Sequence, residues 1–179
     1  MSGHNKWSQI KNKKGVTDKK RGNLFSKLLR AISIAAKNEP NPQFNPRLRS
    51  AIETAKENHV PAENIERAVN KASEEKNLED LVIEAYGPEG AALIIEAVTD
   101  SKNRSIAEIK NILSENNAKI ATPGSVLWSF NPPSAQTNMK WAAKFPQAVS
   151  EDAKQKLTKL ISELDGHDDV LKITTSAEI

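Results

Sequence analysis

Apolar residues recur at helical spacing through the first third of the 179-residue chain. The stripe formed by Leu24, Phe25, Leu28, Leu29 and Ile32 predicts an amphipathic helix that ends near Lys37. The prolines of "NEPNPQFNP" interrupt this pattern, because each removes a backbone donor and disfavours helix in the residue before it. The sequence then predicts a second helix capped by Asn45, with Pro46 at its first position, and a third that begins at Pro61. Three short amphipathic helices can bury one shared core.

The pattern changes after the acidic segment "ASEEKNLED". The run "LVIEAYGPEGAALIIEAV" predicts two strands joined at Gly87–Gly90, where Pro88 and Gly90 suit a type I turn. "SIAEIKNILSEN" predicts a helix in which Ser105 and Glu108 have capping-box spacing and Ile106 faces inward with the other isoleucines.

Extended and helical patterns continue to the end of the chain. "SVLWSF" predicts a strand, and both Trp128 and Trp141 are expected in the core. Residues 150–164 predict a helix capped by Ser150, and "VLKITTSAE" predicts a closing strand. Because strict βαβ alternation is absent, the fold class is predicted as α+β. A basic helical domain of residues 1–76 precedes an α/β domain of residues 77–179, whose mainly antiparallel sheet is covered by two helices.

Composition narrows the class of protein. With 37% hydrophobic and 27% charged residues the chain fits a globular protein, and with no cysteine it has no disulfide framework or thiolate metal site. No apolar run approaches the ~18 residues of a membrane helix, and no secretory signal precedes the basic start. We therefore expect a cytoplasmic protein without a membrane partner.

Charge is unevenly distributed along the chain. Residues 1–56 contain 13 Lys or Arg against 3 Asp or Glu, whereas residues 57–179 contain 13 against 20. The stretch from Gly3 to Gly22 alone holds seven cations and one acid, Asp18. A solvated tail is the simplest explanation, but this basic run continues into an amphipathic helix. The pattern favours a surface that binds a polyanion and a second lobe that is repelled by it.

Candidate chemistry is confined to binding. His4, His59 and His167 lack metal-ligand spacing, no nucleotide-binding glycine motif occurs, and "DGHDDV" is interpreted as a helix-to-strand turn. We expect no enzyme activity, no metal, no cofactor and no small-molecule substrate. The candidate nucleic-acid contacts are His4, Lys6, Trp7, Lys11, Lys13, Lys14, Lys20, Arg21, Lys27, Arg30, Lys102 and Arg104.

Four of these candidates have alternative interpretations. His4 either hydrogen-bonds phosphate or caps the chain, and Trp7 either stacks on a base or anchors the N-terminal segment to the helical core. Lys102 and Arg104 stand at the entry of the helix that follows, where a cation opposes the helix dipole. This unfavourable placement indicates a phosphate contact, although exposure to water makes the electrostatic cost of the placement small.

The opening "MSGHNKWSQIKNKKGVTDKKRGNLFSKLLRAI" resembles the start of the YebC/PmpR family. "NPRLRSAIETAKENHVPAENIERA" is similar to the family's second and third helices, "EAYGPEGAALIIEAVTDSKNRSIAEI" to its central hairpin and helix, and "LISELDGHDDVLKITTSAE" to its ending. The resemblance implies a helical lobe and two α/β lobes, one inserted into the other. It also implies a regulator of gene expression. The family is described as probable transcriptional regulators that bind DNA, and it is linked to ribosomes as factors that help translation through consecutive prolines.

The sequence departs from the family in two places. Where relatives carry a further inserted lobe, only the eight-residue connector 131–138, "NPPSAQTN", is present, so functions of that lobe are in doubt. Gly15, followed by β-branched Val16 and Thr17, predicts a loop or hinge in the first dozen or so residues that orders on a partner.

Together these features predict a regulator that grips rRNA or the ribosome through its basic lobe and assists translation. The Lys-rich stretch is poor in the Asn, Gln and Arg pairs that read base edges, which favours recognition of shape and charge. A DNA-binding transcriptional regulator and an adaptor that docks an acidic protein remain alternatives.

Overall fold

The computed structural model describes residues 3–72, 74 and 77–179, with side chains described from Asp18 onward. Its first three helices are α1 (Gly3–Ala36), α2 (Pro46–Glu57) and α3 (Ala62–Lys71). The second lobe contains β1 (Glu79–Tyr86), β2 (Ala92–Thr99), α4 (Lys102–Glu115), β3 (Lys119–Ile120), β4 (Phe130–Asn131), β5 (Ala142–Ala143), α5 (Glu151–Asp165) and β6 (Val170–Thr175). The predicted α+β class is confirmed.

The three N-terminal helices share one core. Ile32, Leu48 and Ala55 are completely buried, and Ile65 and Ala68 of α3 pack on them. Local signals set the helix starts as expected, since the Asn45 side chain accepts from the Leu48 amide at 3.0 Å and Pro46 occupies the first turn. Burying each large aliphatic side chain stabilises the lobe by about 1.5–3 kcal/mol. Because all three helices contribute such residues, the stability of the lobe depends on all of them.

The loop expected in the first dozen or so residues is wrong. Helix α1 begins at Gly3 and runs without interruption to Ala36. One glycine costs only ~1 kcal/mol relative to alanine inside a helix, and the residues on both sides continue the backbone hydrogen-bond ladder.

A four-stranded antiparallel sheet, in the order β3-β1-β2-β6, organises the second lobe. One face, with Ile83, Leu93 and Ile95, packs on α4 and α5 through Ile109 and Leu160. Side chains alternate along strands, so the residues between them point to the other face. There Tyr86 and Ile94 pack with the β4–β5 hairpin, and α1 contacts β2 and β6.

The turn between β1 and β2 is not type I. Glu89 has φ 56° and ψ 21°, and the Gly90 amide donates to the Gly87 carbonyl at 3.1 Å. A positive φ at the third position is a feature of type II turns. The Glu89 carboxylate accepts from the Ser150 hydroxyl at 2.6 Å and the Ser150 amide at 3.1 Å, which ties this turn to the start of α5.

The predicted capping box at Ser105 and Glu108 is wrong. Helix α4 starts earlier, at Lys102, with Ser101 as its N-cap. Ser105 is fully buried in the first turn, and its hydroxyl bonds Asp169 at 2.7 Å. Ile106, expected inside, is 36% exposed, because the buried stripe of α4 follows Ser105, Ile109 and Leu113 instead.

"SVLWSF" does not form the expected strand. Leu127–Ser129 is a 3₁₀ turn, and only Phe130 continues into β4. The Glu84 carboxylate, 6% exposed on β1, accepts from the backbone amides of Gly124, Val126 and Leu127, which folds this segment into a loop. Trp128 consequently lies on the surface with 64% exposure, so its core assignment is wrong, whereas Trp141 is half-buried against Phe130.

Candidate nucleic-acid interface

The exposed cations of the described part of α1 lie just before its core-facing segment. Lys19, Lys20 and Arg21 are exposed, and the Arg21 guanidinium lies 5.3 Å from the centre of the Phe25 ring. Within the part of the chain that the structure describes, no ion pair engages these three side chains. They are therefore available to phosphate oxygens of a ligand.

Six of the predicted contacts precede Asp18. Their side chains lie outside the described residues, so their role stays a prediction: His4, Lys6, Trp7, Lys11, Lys13 and Lys14.

Lys27 contacts the second lobe instead of solvent. Its side chain is 8% exposed, and its ammonium donates to the Asp165 carbonyl and lies 3.4 Å from the Asp165 carboxylate. A phosphate contact would require Lys27 to leave a nearly buried position at the end of α5. In the conformation seen here it joins α1 to the α/β lobe.

Arg30, one turn further along α1, also reaches across the lobes. Its guanidinium donates to the Asp169 carboxylate at 2.7 Å and to the Asp168 carbonyl at 3.2 Å. Asp169 is 2% exposed and accepts two further bonds, from Arg104 at 2.9 Å and from Ser105 at 2.7 Å. Burial alone raises the pKa of Asp169, but these donors outweigh it and hold the pKa below its usual value.

Arg104 is the centre of a charge network on the first turn of α4. Besides Asp169 it contacts Asp100 at 3.0 Å and Glu108 at 3.2 Å, and these contacts raise its pKa. His167 lies 2.8 Å from Glu108 through Nε2, while its Nδ1 accepts from the Asp169 amide at 3.1 Å. A neutral ring with the proton on Nε2 satisfies both bonds.

Glu108, His167 and Asp169 bring potential metal ligands within 4.8 Å of one another. Asp169, however, already faces two guanidinium groups and a hydroxyl, and Glu108 faces Arg104. Two adjacent cations oppose a third one at this place. The geometry therefore supports a lobe contact here rather than a metal centre.

Lys102 completes the predicted set. Its ammonium lies 2.7 Å from the Glu79 carboxylate at the start of β1, and this hydrogen bond lowers the pKa of Glu79. The cation that opposes the α4 dipole thus has a partner within the chain, although both side chains are about half exposed. A phosphate group would therefore have to compete with the Glu79 carboxylate for the Lys102 ammonium.

A third cross-lobe ion pair, beside those of Lys27 and Arg30, was also missed by sequence reasoning. Arg47 of α2 holds Asp80 of β1 with two parallel bonds, at 2.8 and 2.6 Å. The two residues are 33 positions apart, so only the fold reveals the pair. Its only trace in the sequence is an acidic strand start beside a basic lobe.

A groove of about 620 Å3 runs between the helical lobe and the open sheet face. Leu28, Val82 and Trp141 supply apolar walls, and Glu96 and Lys172 supply charge. Burial raises the pKa of Glu96 and lowers that of Lys172, while each charge opposes the shift of the other. No hydrogen-bond partner of the Glu96 Oε2 atom is found among the described residues.

A search of the described helices for a bilayer-spanning segment finds none of sufficient length and apolar character.

Curated relatives match most of this chain. A protein of Chlorobium phaeovibrioides is 50% identical over 135 residues, which cover 73% of this chain and 54% of that protein. A protein of Chlorobaculum parvum is 46% identical over 157 residues, covering 85% and 60%. Both are named "Probable transcriptional regulatory protein". The chain thus spans only about half the length of the curated relatives that it matches.

A solved structure and two family models give the same result. The crystal structure of a conserved hypothetical protein from Aquifex aeolicus has a TM-score of 0.77 and 28% identity, covering 89% of this chain and 90% of that one. The family model described as the TACO1/YebC protein N-terminal domain matches residues 5–75, and that of the TACO1/YebC second and third domain matches residues 78–135. From these matches we conclude that the chain belongs to the TACO1/YebC family.

Proposed function

We propose that this chain is a non-enzymatic regulator of gene expression that binds nucleic acid through its basic N-terminal lobe. The observation that carries the proposal is the contrast among the cations of α1. Lys27 and Arg30 are paired with carboxylates of the second lobe, whereas Lys19, Lys20 and Arg21 are exposed and engaged in no ion pair within the described region. Three adjacent open cations suit a ligand with closely spaced phosphates.

The charge of the whole chain supports a fixed orientation on such a ligand. Because residues 57–179 carry more acids than bases, a polyanion attracts the N-terminal lobe and repels much of the second. The cross-lobe ion pairs hold the acidic lobe at a defined position relative to α1 and α2. The second lobe is then presented to another partner while the first is bound.

Structured RNA of the ribosome is the favoured ligand. Lysine dominates the basic stretch, and a lysine ammonium contacts phosphate as a point charge without reading base edges. The ribosome link of the family points the same way, so we propose that the chain assists translation. Lys102 and Arg104 stay predicted phosphate contacts, each of which would have to exchange a carboxylate partner for phosphate.

DNA is the second candidate ligand. The relatives described above are named probable transcriptional regulatory proteins, which favours this assignment. The same open cations would then bind duplex phosphates, with little discrimination between sequences.

Co-sedimentation with ribosomes across a salt series tests the proposal, beside binding to duplex DNA of random sequence. The triple variant Lys19→Ala/Lys20→Ala/Arg21→Ala should lose ribosomes at physiological salt, with an affinity at least about tenfold lower, because several phosphate contacts disappear. The matched control is Lys154→Ala/Lys156→Ala/Lys159→Ala, which removes the same charge from α5, where each lysine pairs with a nearby acid. This control should bind like the wild type.

The possible results separate the alternatives. Preference for DNA over ribosomes, with the same dependence on the three cations, would support the transcriptional role. A complex pulled from cells that survives nuclease treatment would instead indicate an acidic protein partner. Equal loss in both triple variants would contradict an interface at residues 19–21.

A further inference from the structure

Two large aromatic rings lie together on the surface of the second lobe. Trp128 is 64% exposed and Phe145 is 62% exposed. Their ring centres are 6.1 Å apart and their planes are inclined by 47°. Exposed rings of this size keep apolar surface in contact with water, so a pair of them marks a candidate binding surface.

Hydrogen bonds hold the Trp128 ring and the backbone next to Phe145 in place. The Trp128 indole Nε1 donates to the Ser125 carbonyl at 2.8 Å, which fixes the ring on the loop before β4. From the other side of the hairpin, Lys144 donates through its backbone amide to the Ser129 carbonyl and through its ammonium to the Trp128 carbonyl, both at 2.9 Å. Because the Trp128 side chain is already fixed, it loses little conformational entropy when a ligand stacks on it, and this favours binding.

The segment that carries both rings differs in charge from the rest of its lobe. Residues 116–150 contain three lysines, Lys119, Lys140 and Lys144, and no Asp or Glu. All three lysines are exposed. A phosphate near the rings is therefore attracted by this segment, although the lobe as a whole is acidic.

From this combination we infer a second nucleic-acid site, in which Trp128 and Phe145 form a stacking platform for an unpaired base and Lys144 contacts its phosphate. The inference rests on the proposed function, because it assumes that the chain meets nucleic acid, and it adds a contact on the opposite lobe. Aromatic rings stack on any base through its π-face, so the site would bind single strands with little sequence preference.

The surroundings of the rings favour a base over an apolar protein face. Asn131, three residues after Trp128, and Lys144, directly before Phe145, are exposed, so polar side chains flank both rings in the sequence. A flat base needs only the ring surface and one cation beside it. A protein partner would need a wider continuous apolar area.

Binding of the full chain to fluorescein-labelled oligouridylate and oligothymidylate tests this site, with a duplex of equal length measured in parallel. Trp128→Ala should weaken single-strand binding by about 5- to 150-fold, the range for one lost stacking contact. Trp128→Phe should keep most of the affinity. Lys144→Ala should lower the slope of log affinity against log salt by about 0.7, the value for one phosphate of a single strand.

Phe44→Ala is the matched control, because Phe44 is 74% exposed but lies in the helical lobe. It should bind single strands like the wild type, and duplex binding should be the same in Trp128→Ala and wild type. Thermal unfolding should also agree among these variants, since both removed rings are exposed.

The outcomes distinguish this site from the proposed function. Wild-type affinity in Trp128→Ala, or no oligonucleotide binding by the wild type, overturns the platform, while ribosome binding that depends on Lys19–Arg21 leaves the proposed function standing. Failure to bind ribosomes, duplex and single strands overturns both. Trp128-dependent binding of a decaproline peptide in place of oligonucleotides overturns the platform in favour of a protein ligand.

Discussion

At the scale of single residues, Asp169 connects α1 with the second lobe, because its carboxylate contacts both α1 and α4. It is nearly buried, and Arg30, Arg104 and Ser105 together satisfy its carboxylate. Removing one partner of a buried charge cluster lowers the free energy of unfolding by far more than the intact cluster adds to it, because the remaining charges stay desolvated without a partner.

We therefore predict that Asp169→Asn lowers the free energy of unfolding by about 3 kcal/mol at neutral pH. Asp168→Asn is the matched control, since Asp168 is exposed and contributes only its backbone carbonyl to Arg30. Urea unfolding of both variants checks this, and equal stability of the two would contradict the role of the Asp169 carboxylate.

The same residue predicts a dependence on pH. Because the pKa of Asp169 is lower in the folded chain than in the unfolded one, its stabilisation is present above the unfolded value near 3.9. It is lost as the pH falls through the lower folded value. The stability difference between wild type and Asp169→Asn should be constant from pH 7 to about pH 5 and shrink below about pH 4. A difference that does not change with pH would place the cause elsewhere.

At the scale of elements, the sequence correctly predicted the helix starts that depend on interactions between neighbouring residues. Asn45 and Ser150 cap their helices as expected, because a cap needs only the amide three positions further along the chain. The capping box at Ser105 failed because Asp169, 64 positions away, engages that hydroxyl. The strand at "SVLWSF" failed because Glu84, some 40 positions earlier, collects the loop amides. Neither partner can be identified from spacing.

Glu84 provides the element-scale prediction. In Glu84→Gln an amide NH2 replaces one of the oxygens that accept from the loop amides, so donors would face donors in a buried place. We expect a loss of about 2 kcal/mol in the free energy of unfolding. Because this loop leads into Trp128, single-strand binding should weaken as well.

Glu53→Gln, at an exposed position of α2, is the control and should leave both quantities unchanged. Hydrogen exchange of the Val126 and Leu127 amides reports the loop directly. Unchanged protection there in Glu84→Gln would show that the carboxylate does not hold it.

At the scale of the whole molecule, the lobes are joined by contacts of different burial. The Arg30–Asp169 pair involves a carboxylate that is 2% exposed, whereas both partners of Arg47–Asp80 are about half exposed. The fold class was predictable from the periodicity of the apolar residues. The ion pairs between the lobes were not predictable, because each of them connects distant parts of the chain.

These two classes of contact should respond differently to salt. A double-mutant cycle on Arg47→Ala and Asp80→Ala should give a coupling energy of about 0.5–1 kcal/mol at low salt that falls towards zero near 1 M. The cost of Asp169→Asn should change little over the same range, because buried charges are poorly screened. Equal salt dependence of both would mean that water reaches Asp169.

The uninterrupted course of α1 has a mechanical consequence. A helix rises about 1.5 Å per residue, so Gly3 stands about 36 Å along the axis from Lys27, where the helix is fastened to the second lobe. A tilt of the helix by about 10° at Lys27 moves Gly3 by about 6 Å. The helix is thus a lever arm, and a small rotation of one lobe becomes a large displacement at the tip.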